Sequence, residues 1–163
     1  MNTLLTLAFL LAAPDAGPAL KIDGDGVKAT ALSLEQLKAL GATAADWADQ
    51  KGAHRVAGVR LDKVLAAAGL SDGPKGPNVN PKEKHAGLRA AVVASAADGY
   101  QAVFSAGELL ESVGATNALV IWELDGQPLG DAGPLRIVVL TDKEPARSIR
   151  SVTALHLVSL SKR

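Results

Sequence analysis

The chain has 163 residues, 48% of them apolar, with 17 Lys and Arg balanced by 17 Asp and Glu, and it contains no cysteine. That length makes one domain that buries roughly two-thirds of its unfolded-chain surface, and with so few aromatics the core must be built from Ala, Val and Leu. Zero formal charge gives no bulk attraction to nucleic acid or to an anionic membrane, and the missing thiols exclude a cysteine nucleophile, a thiolate zinc site or an iron–sulfur cluster held by this chain.

Residues 1–19 read as an export signal. Positions 4–13, LLTLAFLLAA, form an apolar run of signal length, too short to span a bilayer, and Ala13, Ala16 and Ala19 offer cleavage points. The segment before that run carries no Lys or Arg, which leaves a buried first strand or helix as the alternative. The signal reading makes 20–163 a single mature domain, periplasmic or secreted, without a membrane span after cleavage.

ALKIDGDGVKATAL (19–32) predicts a hairpin turning at Asp25-Gly26. Asp23 and Asp25 lack the further acids of an EF-hand loop, and Gly24 and Gly26 lack the helix and third glycine of a dinucleotide fingerprint. SLEQLKAL (33–40) opens with a capping box, Ser33 to Gln36, lines up Leu34, Leu37 and Leu40, and stops at Gly41. HRVAGVRLDKVLAAAGL (54–70) predicts a strand running into a helix, with Leu61, Val64, Leu65 and Ala68 on one face and Gly69 as the stop.

Residues 71–88 hold three prolines, three lysines and no apolar period, and read as a long surface loop. Two strands follow, turning at Asp98-Gly99, and a second capping box, Ser105 to Glu108, opens a third helix. ALVIWELDGQPLG (118–130) repeats the strand-turn pattern at Asp125-Gly126. TALHLVSL (153–160) alternates, Leu155 and Leu157 facing one way and His156 and Val158 the other. The sum is about eight short strands in hairpins with three short helices and no dominant βαβ succession, which is an α+β domain.

No G-x-S-x-G elbow, H-E-x-x-H pair or phosphate loop is present. His54, His85 and His156 are too scattered to form a metal site by spacing and read as surface or interface residues. Asp98 and Asp125 each precede a glycine and read as turn residues accepting backbone hydrogen bonds. The arginines are different. Arg136 opens the apolar strand RIVVL straight after AGPL, and Arg147, Ser148 and Arg150 follow in the next turn. A guanidinium at the mouth of a buried strand needs a partner. That partner is either internal, such as Asp131 or Glu123, or an anionic ligand held bidentately.

GVRLDKVLAAAGL, ADGYQAVFS, ELDGQPLGDAGPLRIVV and ARSIRSVTALHLVSL occur in an order that resembles the sulfite-oxidase-type molybdopterin-binding domain, over roughly residues 20–160. The resemblance implies an α+β fold with layered mixed β-structure around a cleft for a pyranopterin. It places Arg136 at the cofactor, Arg150 at the pterin and phosphate end, and Ser148 and Arg147 in the same turn. Three positions depart from the pattern. The chain lacks the cysteine that ligates molybdenum in the family. Asp131 stands where the family has histidine, and Ser151 where it has an aromatic residue.

A soft thiolate is not replaced by Ser or Asp with the same redox tuning. Residues 1–20 also hold no arginine, so the twin-arginine export of a cofactor-loaded enzyme is not encoded there. The expectation is therefore an exported, non-redox module that binds a small anion, a pterin-type ligand or a protein partner through an arginine-lined cleft. The alternative is a molybdopterin-dependent oxidoreductase, or the cofactor-bearing subunit of one, with atypical metal ligation. A further possibility is a partner of a periplasmic redox complex, contacted through the 71–88 loop.

Overall fold

The computed structural model describes residues 20–114 and 117–160; the export signal read at 1–19 lies outside them. Two five-stranded sheets stack face to face. The first has the order β2 (Thr30–Leu32), β1 (Leu20–Gly24), β10 (Val152–Ser159), β5 (Ala90–Ala96) and β6 (Gln101–Ser105). Its β1–β10 pair is parallel and its other pairs antiparallel. The second runs β3 (Thr43–Asp49), β4 (Gly52–Arg60) and β7 (Ala118–Leu124), with β8 (Gln127–Pro128) and β9 (Arg136–Val139) both pairing with β7. The layered α+β architecture expected from the sequence is the one found.

The capping boxes start helices as expected. Ser33 and Gln36 close the N-terminus of α1 (Leu34–Ala39), and Ser105 and Glu108 that of α3 (Ala106–Leu109), which is a single turn. In α2 (Leu61–Ala67), Leu61, Val64 and Leu65 are fully buried, so the apolar stripe docks on the sheets. Residues 71–88 contain no helix or strand until a 3-10 turn at Ala86–Arg89.

The main core lies between the sheets. Ile22, Val92, Leu155 and Leu157 meet Val59, Val120, Ile137 and Val139 there, with Leu61, Leu65 and Phe104 at the ends. Each fully buried aliphatic side chain contributes about 1.5–3 kcal/mol. The second sheet is also buried on its other face, where Trp47, Val56, Leu119, Ile121 and Val138 form a small separate cluster. Burial on both sides explains why ALVI in β7 and IVV in β9 are unbroken apolar runs rather than alternating ones.

β3 is the strand the sequence reading lacks. Its residues, TAADWAD, are mostly Ala and Asp, with low strand propensity. Pairing with β4 along its own whole length and burial of Trp47 hold it in place.

Candidate functional site

The pleat of β9 decides which way the arginine points. Ile137 and Ile149 form an isolated antiparallel bridge, exchanging two backbone hydrogen bonds of 2.9 Å, and both are fully buried in the main core. Side chains alternate along extended backbone, so the neighbours Arg136, Ser148 and Arg150 project from the opposite face. The loop carrying Arg150 is fastened to the strand mouth. Ser151 donates its N–H to Ala132 O (3.0 Å) and its hydroxyl to Gly133 O (2.9 Å). That is the work of the serine standing where the resembling family has an aromatic residue.

These residues wall a cleft of about 190 Å³, closed on the far side by Asp49 and Lys51 from the β3–β4 hairpin and by Pro145. Arg136 is 7% exposed, and its guanidinium carbon lies 4.6 Å from the centre of the Trp47 ring. Trp47 and Arg136 lie on strands separated by β4 and β7, and the contact spans that face of the second sheet. Arg136 forms no ion pair among the described residues, and its Nε is buried without a hydrogen-bond partner. The Ser148 hydroxyl oxygen beside it is in the same condition. Asp131 and Glu123, named from sequence as internal partners for Arg136, do not pair with it. Burial first, and then the nearby Arg150 charge, push the Arg136 guanidinium below its ordinary pKa, with Asp49 pulling the other way. Arginine nonetheless stays protonated, so the cleft holds two guanidiniums that repel each other, one of them desolvated, with Lys51 across from them.

Arg147 belongs elsewhere. Its guanidinium grips both oxygens of Asp142 (2.9 and 2.7 Å), reaches Glu108 (3.2 Å) and covers the Phe104 ring. These carboxylates raise its pKa. It fastens the 3-10 turn Pro145–Arg147 to the start of α3 and does not wall the cleft. Of the four residues named from sequence, Arg136, Ser148 and Arg150 come together and Arg147 supports the turn between them.

The sequence reading missed the hairpin side of the site. Asp49 Oδ1 accepts from the Lys51 N–H (2.7 Å) and faces His54 Nε2 (3.3 Å). His54 Nδ1 faces Asp125 Oδ2 (2.8 Å), while Asp125 Oδ1 accepts from the Arg55 N–H (2.7 Å). Both imidazole nitrogens therefore meet carboxylate oxygens, which only the doubly protonated ring satisfies. The Asp125 bond is the largest cause of a raised His54 pKa. His54 is thus no loose surface residue, and Asp125 serves His54 as well as its turn. Asp98 does act as expected, accepting from the Tyr100 N–H. The signal available in the sequence was Asp-Gln-Lys-Gly at 49–52, a turn sequence two residues after Trp47.

A second cleft of about 240 Å³ adjoins the first, walled by Asp98, Tyr100 and Ala146 and sharing Pro145, Ser148 and Arg150 with it. Among the described residues no three His, Cys, Asp or Glu side chains are grouped to hold a metal ion, and no helix is long and apolar enough to cross a membrane.

No protein-family model matches the chain, and no curated protein matches it by sequence. The structure of the sulfane dehydrogenase SoxCD from Paracoccus pantotrophus is similar, with a TM-score of 0.64 and 16% identity. The match covers 90% of this chain and 40% of that one. At that identity the likeness is one of fold, and this chain spans less than half the length of the enzyme it resembles.

Proposed function

We propose that the chain is a non-redox binding module, acting outside the cytoplasm, whose arginine cleft takes a small anion or the anionic end of a pterin-type ligand. The observation that carries this reading is Arg136, a buried guanidinium with an orphaned Nε beside an orphaned Ser148 hydroxyl. Leaving a buried donor without a partner costs about 1–3 kcal/mol, more for a charged group. An oxyanion in the cleft lined by Arg136, Ser148 and Arg150 would neutralise the Arg136–Arg150 repulsion, and a small shift of the wall would bring the two orphaned atoms to it.

The fold likeness raises molybdopterin as the ligand. The phosphate end of that cofactor fits the donors present, Arg136, Arg150 and Ser148. Its metal does not fit, because the chain has no cysteine, and the oxygen ligands in the cleft wall, Asp49 and Ser148, do not replace a soft thiolate. The second reading, a cofactor-bearing oxidoreductase subunit, rests on the likeness to SoxCD and requires a thiolate from another chain.

Trp47, stacked on Arg136, supplies the readout. Titrating the protein with inorganic pyrophosphate and following tryptophan emission should give a saturable change that disappears in Arg136→Gln. A flat titration in the parent protein would overturn the anion reading. Stoichiometric molybdenum in protein purified from its native source would instead establish the oxidoreductase reading.

A further inference from the structure

We propose that the cleft selects an oxyanion that still carries a proton at neutral pH, such as inorganic phosphate, over one that carries none, such as sulfate, and that Asp49 makes the choice. The proposal rests on the anion-cleft reading above and adds the chemical class of the ligand.

A socket for anions in general has no use for a carboxylate in its wall. This cleft has one, across from Arg136 and Arg150 and next to Lys51 on the same hairpin. Asp49 is not there by default. Its Oδ1 is spoken for by the Lys51 N–H and His54, while its Oδ2 takes no hydrogen bond among the described residues. The His54 ring, itself held by Asp125, fixes the orientation of the carboxylate. The β3–β4 pairing fixes its position, through Asp49 opposite Gly52.

The result is a site with donors on one side and a pre-oriented acceptor on the other. The guanidinium groups of Arg136 and Arg150 line the cleft with Ser148 between them and supply its donor side. A ligand oxygen turned towards Asp49 must then bring its own hydrogen, or two anionic oxygens face each other in a partly desolvated cleft. A protonated oxyanion donates there and forms a short charge-assisted bond. A fully deprotonated one meets repulsion. The backbone and imidazole contacts also hold Asp49 ionised, since the Lys51 N–H bond is the largest cause lowering its pKa, with His54 and Arg136 adding to it.

Inorganic phosphate and sulfate separate the two cases. At neutral pH phosphate retains at least one proton and sulfate none, while sulfate has the larger average charge, so charge alone would favour sulfate. Isothermal titration of the whole chain with each anion at pH 7 should show phosphate bound more tightly by roughly tenfold or more, the scale of one charge-assisted hydrogen bond gained against one lost. In Asp49→Asn, which keeps an acceptor for the Lys51 N–H but turns a donor to the ligand, sulfate should gain affinity and the ratio should fall close to one. Equal or tighter sulfate binding by the parent protein overturns the selection while leaving the anion cleft intact. Failure of both anions to bind the parent overturns the cleft and the selection together. Phosphate preference that survives unchanged in folded Asp49→Asn removes Asp49 from the choice.

Discussion

Arg136 occupies a position where a cation is costly, and the protein offers it a tryptophan face but no counter-ion bond. A cation–π contact is worth about 0.5–2 kcal/mol, which is on the scale of one missing buried hydrogen bond and short of a full ion pair. His54 presents the reverse case, a titratable ring with two carboxylates around it. Its pKa should lie above the ordinary value of about 6.5 when followed by NMR titration, and Asp125→Asn should bring it down. The sign for stability follows from linkage. A group whose pKa is raised by folding stabilises the protein fully below its unfolded pKa, and that contribution is lost as pH rises through the folded value. Urea-unfolding stability should therefore decline above about pH 6.5, and the decline should be absent in His54→Gln.

At the scale of elements, two devices place the cleft residues. Gly58, beside the bulge in β4, lets β7 pass close, and a Cβ there would lie 2.4 Å from Val120 O and 2.8 Å from Ile121 Cα. Both contacts are backbone, so Gly58→Ala must push strands apart. It should cost about 1–3 kcal/mol in chemical denaturation, as overpacking does. The second device is the Arg147 clamp on Asp142 and Glu108. These side chains are about a third exposed or less, so solvent screening limits the loss in Arg147→Met to about 1 kcal/mol. Anion affinity should weaken alongside, because Ser148 and Arg150 hang from the turn it holds. An unchanged affinity with lowered stability would show that the turn keeps its shape without the clamp.

For the whole molecule, what was legible in the sequence was what local chemistry writes there. The two capping boxes, the Asp-Gly turns at 98–99 and 125–126, the α2 stripe and the mouth of β9 were all readable from residue spacing. β3 was not, because an Ala-Asp strand is made by pairing with β4 and by burial of one tryptophan, not by its own propensity. Half of the candidate site was lost with it. Asp49, Lys51 and Trp47 reach Arg136 only through the side-by-side pairing of four strands in one sheet, a contact between residues about ninety positions apart. Arg147 shows the converse error, since three arginines close in sequence looked like one socket until Asp142 and Glu108 were seen to claim one of them.

The anion-cleft proposal requires that Arg136 serve a ligand and not the fold. Arg136→Met tests it, read by urea unfolding and by anion titration on the same sample. The variant should be as stable as the parent or more so by about 1 kcal/mol, since removing an unpaired buried charge offsets the lost ring contact, and pyrophosphate binding should disappear. A variant that loses several kcal/mol of stability while binding the anion as before would make Arg136 a structural residue and contradict the claim.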